Sequence, residues 1–182
     1  MAKKKLLISI CTFLCAVTVA VGATVAFLSS ISGPVENSFT VGQVRISLTE
    51  TTGGSYQLIP GKVIKKDPKI TVESGNEACW LFVKVQKTQY FDDYLTCEME
   101  EGWTLLGGFE GVYYREVVAS PVSSEFKVLK NDAVTVRDNL TEEKMSGITT
   151  PPAIDFTAYA VQSYGVDTAR EAWSLILQEN EA

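Results

Sequence analysis

The 182-residue sequence contains no histidine. That removes the commonest general base and the commonest zinc ligand. Ser-His-Asp and Cys-His catalysis are excluded within the chain, as is an H-E-x-x-H zinc site. There is no C-x-x-C pair, no Gly-rich phosphate loop and no basic patch. Basic residues are scarce beyond the N-terminus. Lys3, Lys4 and Lys5 are three of the 16, and the first 26 residues carry no acid. The remaining chain therefore holds 13 basic against 22 acidic residues. This balance disfavours nucleic acid and anionic membrane surfaces as partners and favours solubility. No catalytic, cofactor-binding or metal-ligating residue is singled out.

What is present begins with an apolar run. After the three lysines, Leu6 to Leu28 contains no charged residue. A basic head, an apolar run and small residues near its end (Gly22, Ala23, Ala26) are the features of a secretory signal. The run is also long enough, at about 20 residues, to span a bilayer as a retained helix. Its position relative to a strand starting at Phe39 makes cleavage between Ala26 and Phe27 the first choice and between Ala23 and Thr24 the second. The chain then divides into a signal (1–26), an N-terminal segment (27–40) and a domain (41–182). About 155 residues remain after the signal, enough for one domain with a sizeable core.

Of four cysteines, Cys11 and Cys15 lie inside the apolar run. Cys79 and Cys97 lie in the domain. After export these two could close a disulfide over a loop of about 18 residues, for roughly 3 kcal/mol of stabilisation. The alternative is two unpaired thiols, one of them in a strand core.

The domain reads as β-structure. Val44, Ile46 and Leu48 alternate with polar neighbours, as in a half-buried strand, with a bulge plausible at Gly42. Leu58-Ile59-Pro60-Gly61 forms a tight turn. Lys62 to Lys66 and Lys69 to Glu73 follow, with Asp67-Pro68 between them placing the segment at an edge or bulge. Cys79 to Lys87 is the strongest strand. Leu81, Val83 and Val85 share one face, Trp80 and Phe82 the other, so its first half is expected to be covered on both sides. Phe91, Tyr94 and Leu95 suggest a short helical turn. Further strands are expected at Val112 to Val118, Phe126 to Leu129, Ala133 to Arg137 and from Ile154 to about Ala160. Thr168 with Glu171 is a capping box, and Ala169, Ala172, Trp173 and Ile176 make one apolar helix face that should pack on the sheet. Seven or so short strands with one late helix argue a single antiparallel β-sandwich.

The densest acidic stretch is Asp92, Asp93, Glu98, Glu100 and Glu101. Such oxygens suit calcium, but the spacing matches no EF-hand loop, and solvated loop charge is the simpler reading. Asn139-Leu140-Thr141 fits N-x-[ST], a pattern too common to carry weight.

Several blocks together resemble a known family. They are Gly22-Ala23-Thr24-Val25-Ala26-Phe27, Asn37-Ser38-Phe39-Thr40-Val41-Gly42-Gln43-Val44, Leu58-Ile59-Pro60-Gly61-Lys62 with Lys66-Asp67-Pro68, the strand Cys79 to Val85, and Ala158 to Gln162 followed by Ala172-Trp173. Their order and spacing are similar to those of the TasA/camelysin-like secreted proteins of Gram-positive bacteria. The resemblance implies an all-β, antiparallel jelly-roll-like β-sandwich with one short C-terminal helix, preceded by an N-terminal apolar signal helix. It also implies processing by a SipW-type signal peptidase and a place at the cell surface or in the biofilm matrix. For the best-known members it implies assembly into fibres, a homopolymer in which the freed N-terminal segment (here Phe27 to about Thr40) adds as a strand to a neighbour. Gly33-Pro34 lies inside that segment and interrupts a continuous ladder. The metalloprotease activity described for camelysin-like members does not carry over, because histidine and any zinc motif are missing.

The expected function is therefore a secreted, non-enzymatic structural protein with no cofactor, in contact with membrane only through the uncleaved signal. The alternative is a secreted binding module or adhesin that recognises sugar, cation or protein through its loop tips. N-terminal sequencing of the exported protein is expected to begin at Phe27; a start at Met1 would leave the retained helix as the reading.

Overall fold

The computed structural model describes residues 29–32, 44–52, 58–141, 144–145, 148 and 150–180. The apolar run, the cleavage pairs Ala26/Phe27 and Ala23/Thr24, Gly33-Pro34 and Gly42 lie outside the described residues.

The protein is mostly β, with three antiparallel sheets and one C-terminal helix, consistent with an all-β sandwich. Its axis is strand β5 (Cys79–Lys87), nine residues long, paired along its whole length with β11 (Ile154–Gln162). These two are central in the order β1-β11-β5-β8-β7, where β1 is Ser29–Ser32, β8 is Val112–Val117 and β7 is Thr104–Leu105. Alternation sends Leu81 and Val83 of β5 and Phe156, Ala158 and Ala160 of β11 to one face. That face buries itself against two three-stranded sheets. One has the order β2 (Ile46–Thr49), β4 (Lys69–Val72), β9 (Ser124–Lys127); the other β3 (Val63–Lys65), β10 (Ala133–Val136), β6 (Leu95–Thr96). Ile70, Val128, Leu129 and Val136 are fully enclosed between them.

The opposite face carries Phe82 and Val161 and is covered by helix α2 (Ala169–Asn180). A shorter helix, α1 (Phe91–Tyr94), follows β5. The expected cap is present, since the Thr168 hydroxyl accepts the Glu171 N–H at 3.2 Å. Ala169, Ala172, Trp173 and Ile176 are the buried residues of the helix face. Trp173 meets Phe82 and Tyr159 at ring centroid distances of 5.3 Å each. Contacts of this kind add about 0.5–1.5 kcal/mol each beyond burial. Trp80, on the same face, donates from Nε1 to the Val166 carbonyl at 2.9 Å, tying the loop before α2 to the sheet.

Three expectations shift. Eleven strands are present among the described residues, because β1, β6 and β7 join those read from periodicity. The strand expected at Phe126 to Leu129 is Ser124–Lys127 instead. Val128 and Leu129 are apolar because they are buried where the chain crosses between the small sheets: Val128 N–H bonds to the Pro68 carbonyl and Leu129 bridges to Met99. Asp67-Pro68 does place β3 at an edge, but β4, just after it, is central in its own sheet.

Asp67 is a buried carboxylate, 6% exposed. It accepts from the Thr51 and Thr52 hydroxyls and from both their backbone N–H groups, which dock the chain after β2 onto the β3–β4 junction. The Thr51 hydroxyl, then that of Thr52, hold its carboxyl well below the usual carboxylate range. A pKa lowered in the folded state contributes stability that is complete above the unfolded value and lost as pH falls through the folded one. Urea midpoints measured from pH 7 downward should therefore fall below about pH 4 for the native chain. Asp67→Asn turns an NH2 group toward donors, so it should lower the midpoint at pH 7 and flatten the acid slope. An unchanged midpoint and slope would refute this role.

Candidate functional site

The long β5–β11 ladder gives the domain two ends. At one end lie Cys79, Val117 and Gln162; at the other lie Lys87 and Ile154. The N-terminal segment meets the sheet at the first end. Ser29 pairs with Val161 and Ser32 with Ala158, so β1 runs antiparallel to β11 as the outermost strand of the five. Part of the 27–40 segment thus folds onto its own domain. Its hold is backbone pairing on one side, and its other edge is paired with no strand of the described residues.

The second end carries a groove of about 1080 Å³. The end of β5, α1 and the 106–112 turn form its walls, with Lys84, Lys87, Tyr90, Phe109 and Tyr113 among the lining residues. The turn is built tightly. Leu106 N–H bonds to the Val112 carbonyl at 2.8 Å and Phe109 N–H to the Leu106 carbonyl at 3.1 Å. Val85 donates to the Gly111 carbonyl at 2.8 Å. Gly111 has φ +69°, and a Cβ there would run into the Val85 carbonyl oxygen, so glycine alone fits. Arg170 of α2 donates to the Gly107 carbonyl at 2.5 Å and stands over the Phe109 ring at 5.6 Å. On the other wall Lys87 pairs with Asp92 at 2.8 Å and lies 5.1 Å above the Phe91 ring. Tyr90 is exposed at the rim. Such a groove offers aromatic faces, amides and a lysine–carboxylate pair; it is suited to stacking and hydrogen bonding rather than to nucleophilic chemistry.

The acidic stretch does not converge. Asp92 pairs with Lys87, and Glu98 pairs with Lys130 at 2.6 Å. The hydrogen bond from Lys130, reinforced by its charge, lowers the Glu98 pKa. Among the described residues no three His, Cys, Asp or Glu side chains come together in a metal-holding group.

Cys79 and Cys97 are free thiols. Cys79 starts β5, whereas Cys97 lies close enough to Lys87 and Asp92 to feel their charges. Eight residue steps separate the two ends of β5, about 26 Å at the usual rise. A disulfide needs Cα atoms within about 7 Å. The bridge considered from the sequence is therefore not formed.

One arrangement carries no signal that the sequence reading used. Arg115 of β8 points to the inner face, where its guanidinium lies 4.3 Å from the Phe126 ring centroid and 5.4 Å from that of Trp103. Its Nε is enclosed without a hydrogen-bond partner, and burial lowers its pKa. Trp103 in turn donates from Nε1 to the Lys127 carbonyl at 2.8 Å, joining the five-stranded sheet to β9. Position 115 shares the parity of Tyr113 and Val117, which is the signal that could have placed it.

Among the described residues no helix is long and apolar enough to cross a membrane. Comparison of the chain with protein-family models, curated proteins and solved structures finds no match.

Burial pushes the Cys79 thiol up to about 12 and raises that of Cys97, with Asp92 adding to the rise and Lys87 opposing it. A thiol reagent at pH 8 should therefore modify Cys97 slowly and Cys79 only after denaturation. A linked 79–97 peptide in non-reducing mass spectrometry would contradict the free-thiol state.

Proposed function

We propose that the chain is a secreted, non-enzymatic structural protein of the cell surface or biofilm matrix. On this reading residues 1–26 are an export signal removed by a SipW-type peptidase, and the domain is a jelly-roll-like sandwich. The observation that carries the reading is β1. The first described residues after the apolar run form an edge strand held to β11 by main-chain pairing. The same bonds can be made by Ser29–Ser32 of a second copy, so exchange between subunits changes little in pairing energy. The folded-back strand is then the monomeric state, and assembly requires a neighbour's segment to displace it. Support comes from the resemblance to TasA/camelysin-like proteins, from the apolar run and from the lack of histidine for the commonest catalytic constellations.

The groove beside Tyr90 and Phe109 favours a second reading, a secreted binding module or adhesin that acts as a monomer. The two readings part in one set of measurements. Mature protein concentrated at neutral pH should form filaments visible by electron microscopy. Ser30, opposite Ala160, is a hydrogen-bonded position of the β1–β11 pair, so Ser30→Pro removes a ladder donor from β1 and should abolish the filaments while the domain stays folded. A strictly monomeric protein under all conditions would overturn the structural reading. Glycan-array binding by that monomer, lost in Tyr90→Ala, would favour the adhesin.

A further inference from the structure

The end of the domain where β1 begins is also the end with the most exposed apolar loop tips. Val118 is 75% exposed, Val122 66% and Tyr164 87%. Val118 directly follows β8, and Tyr164 lies two residues beyond β11. Strands β1, β11, β5 and β8 are neighbours in that order, so at the usual spacing Tyr164 lies about 5 Å and Val118 about 15 Å across the sheet from the line of β1.

The tips are held rigidly. Ser120 bridges to Asn76, and the Ser163 N–H bonds to the Ala78 carbonyl at 2.9 Å, so the sheet's pairing continues into the loops. Asn76 is buried and serves as the staple. Its Oδ1 accepts from Arg45 N–H at 2.7 Å, and its Nδ2 donates to the Arg45 carbonyl at 3.1 Å and to that of Glu73. The Ser120 hydroxyl donates to the Val122 carbonyl at 2.8 Å. Apolar side chains displayed on a fixed frame lose little freedom on binding.

The sequence leaves no spacer. The apolar run ends at Leu28, and β1 begins at Ser29. Two residues, Phe27 and Leu28, reach at most about 7 Å. While the run sits in a bilayer and β1 stays paired, the domain cannot stand away from the lipid. We infer that this end, with Val118, Val122 and Tyr164 at its tips, is a bilayer-contacting surface of the uncleaved chain, which seats the domain upright on the membrane that holds its own N-terminal run. The inference rests on the membrane insertion assumed in the proposed function. Aliphatic and tyrosine side chains suit the boundary between headgroups and acyl chains. Glu77 and Asp167 are exposed at the same end, which favours a neutral lipid over an anionic one. The groove then points away from the membrane.

The test uses the full chain in phosphatidylcholine vesicles, with amide exchange read by mass spectrometry. The comparison is the chain carrying Val118→Ser, Val122→Ser and Tyr164→Ser, all exposed positions whose change leaves the core intact. After correction for intrinsic rates, exchange over 118–122 and 163–165 should be about fivefold slower in the native chain than in the triple variant, with 107–111 equal in both. Equal rates over 118–122 and 163–165 in chains that float with the vesicles after an alkaline wash would overturn the inference alone. Protection that grows with protein density in the membrane would overturn it in favour of a second copy as the occupant. A chain that does not float at all would overturn the membrane reading and the inference together.

Discussion

The antiparallel pairing of Cys79–Lys87 with Ile154–Gln162 is the constraint on which the structure depends. Its nine-residue register fixes the parity of both strands. One face must then meet the two small sheets, and the other must meet α2. A slip of one residue would send Leu81 and Val83 toward Trp173 and Phe82 into the space of Ile70. Such a slip is opposed on both sides of the sheet at once, because the two layers have different shapes. The Phe82, Tyr159 and Trp173 rings fill one layer, and branched aliphatic side chains fill the other.

The same ladder gives the molecule a polarity. Where β5 begins, the N-terminal strand meets the sheet and Asn76 gathers three loops. Where β5 ends, α1 and the Gly111 turn enclose the groove. Under the proposed function these ends divide the work. Attachment to the membrane and strand exchange both belong to the first end and its β1 edge. Recognition of a ligand, if the binding reading holds, belongs to the second. The two readings use different surfaces and do not compete for residues.

Much of the frame was legible. The limits of β5, the covering of both its faces, the Thr168 cap and the apolar face of α2 all follow from local pattern. Each repeats a signal over many residues, so the period is unambiguous. The two-residue strands Leu95–Thr96 and Thr104–Leu105 offer no period to read, and their existence depends on partners distant in sequence. Ser29–Ser32 is three serines around one isoleucine and becomes a strand through β11. Val128 and Leu129 look like strand residues because burial, not pairing, selects them. The two cysteines are separated by a modest stretch of chain, but it runs the length of β5, which places them apart. Arg115 shares the parity of Tyr113 and Val117, but the Trp103 and Phe126 rings that its guanidinium meets are brought to it only by the fold.

The sequence by itself determined the alternation, the caps and turns, the uncharged run and the exclusion of histidine chemistry, because each is a property of neighbouring residues. Only the tertiary structure decided which short segments pair, which edge β1 occupies, that Cys79 and Cys97 stay apart, and that a groove and a set of apolar tips lie at opposite ends. Those depend on backbone hydrogen bonds and contacts between residues far apart in the chain. Their energies exist only once the β5–β11 ladder has brought the partners together.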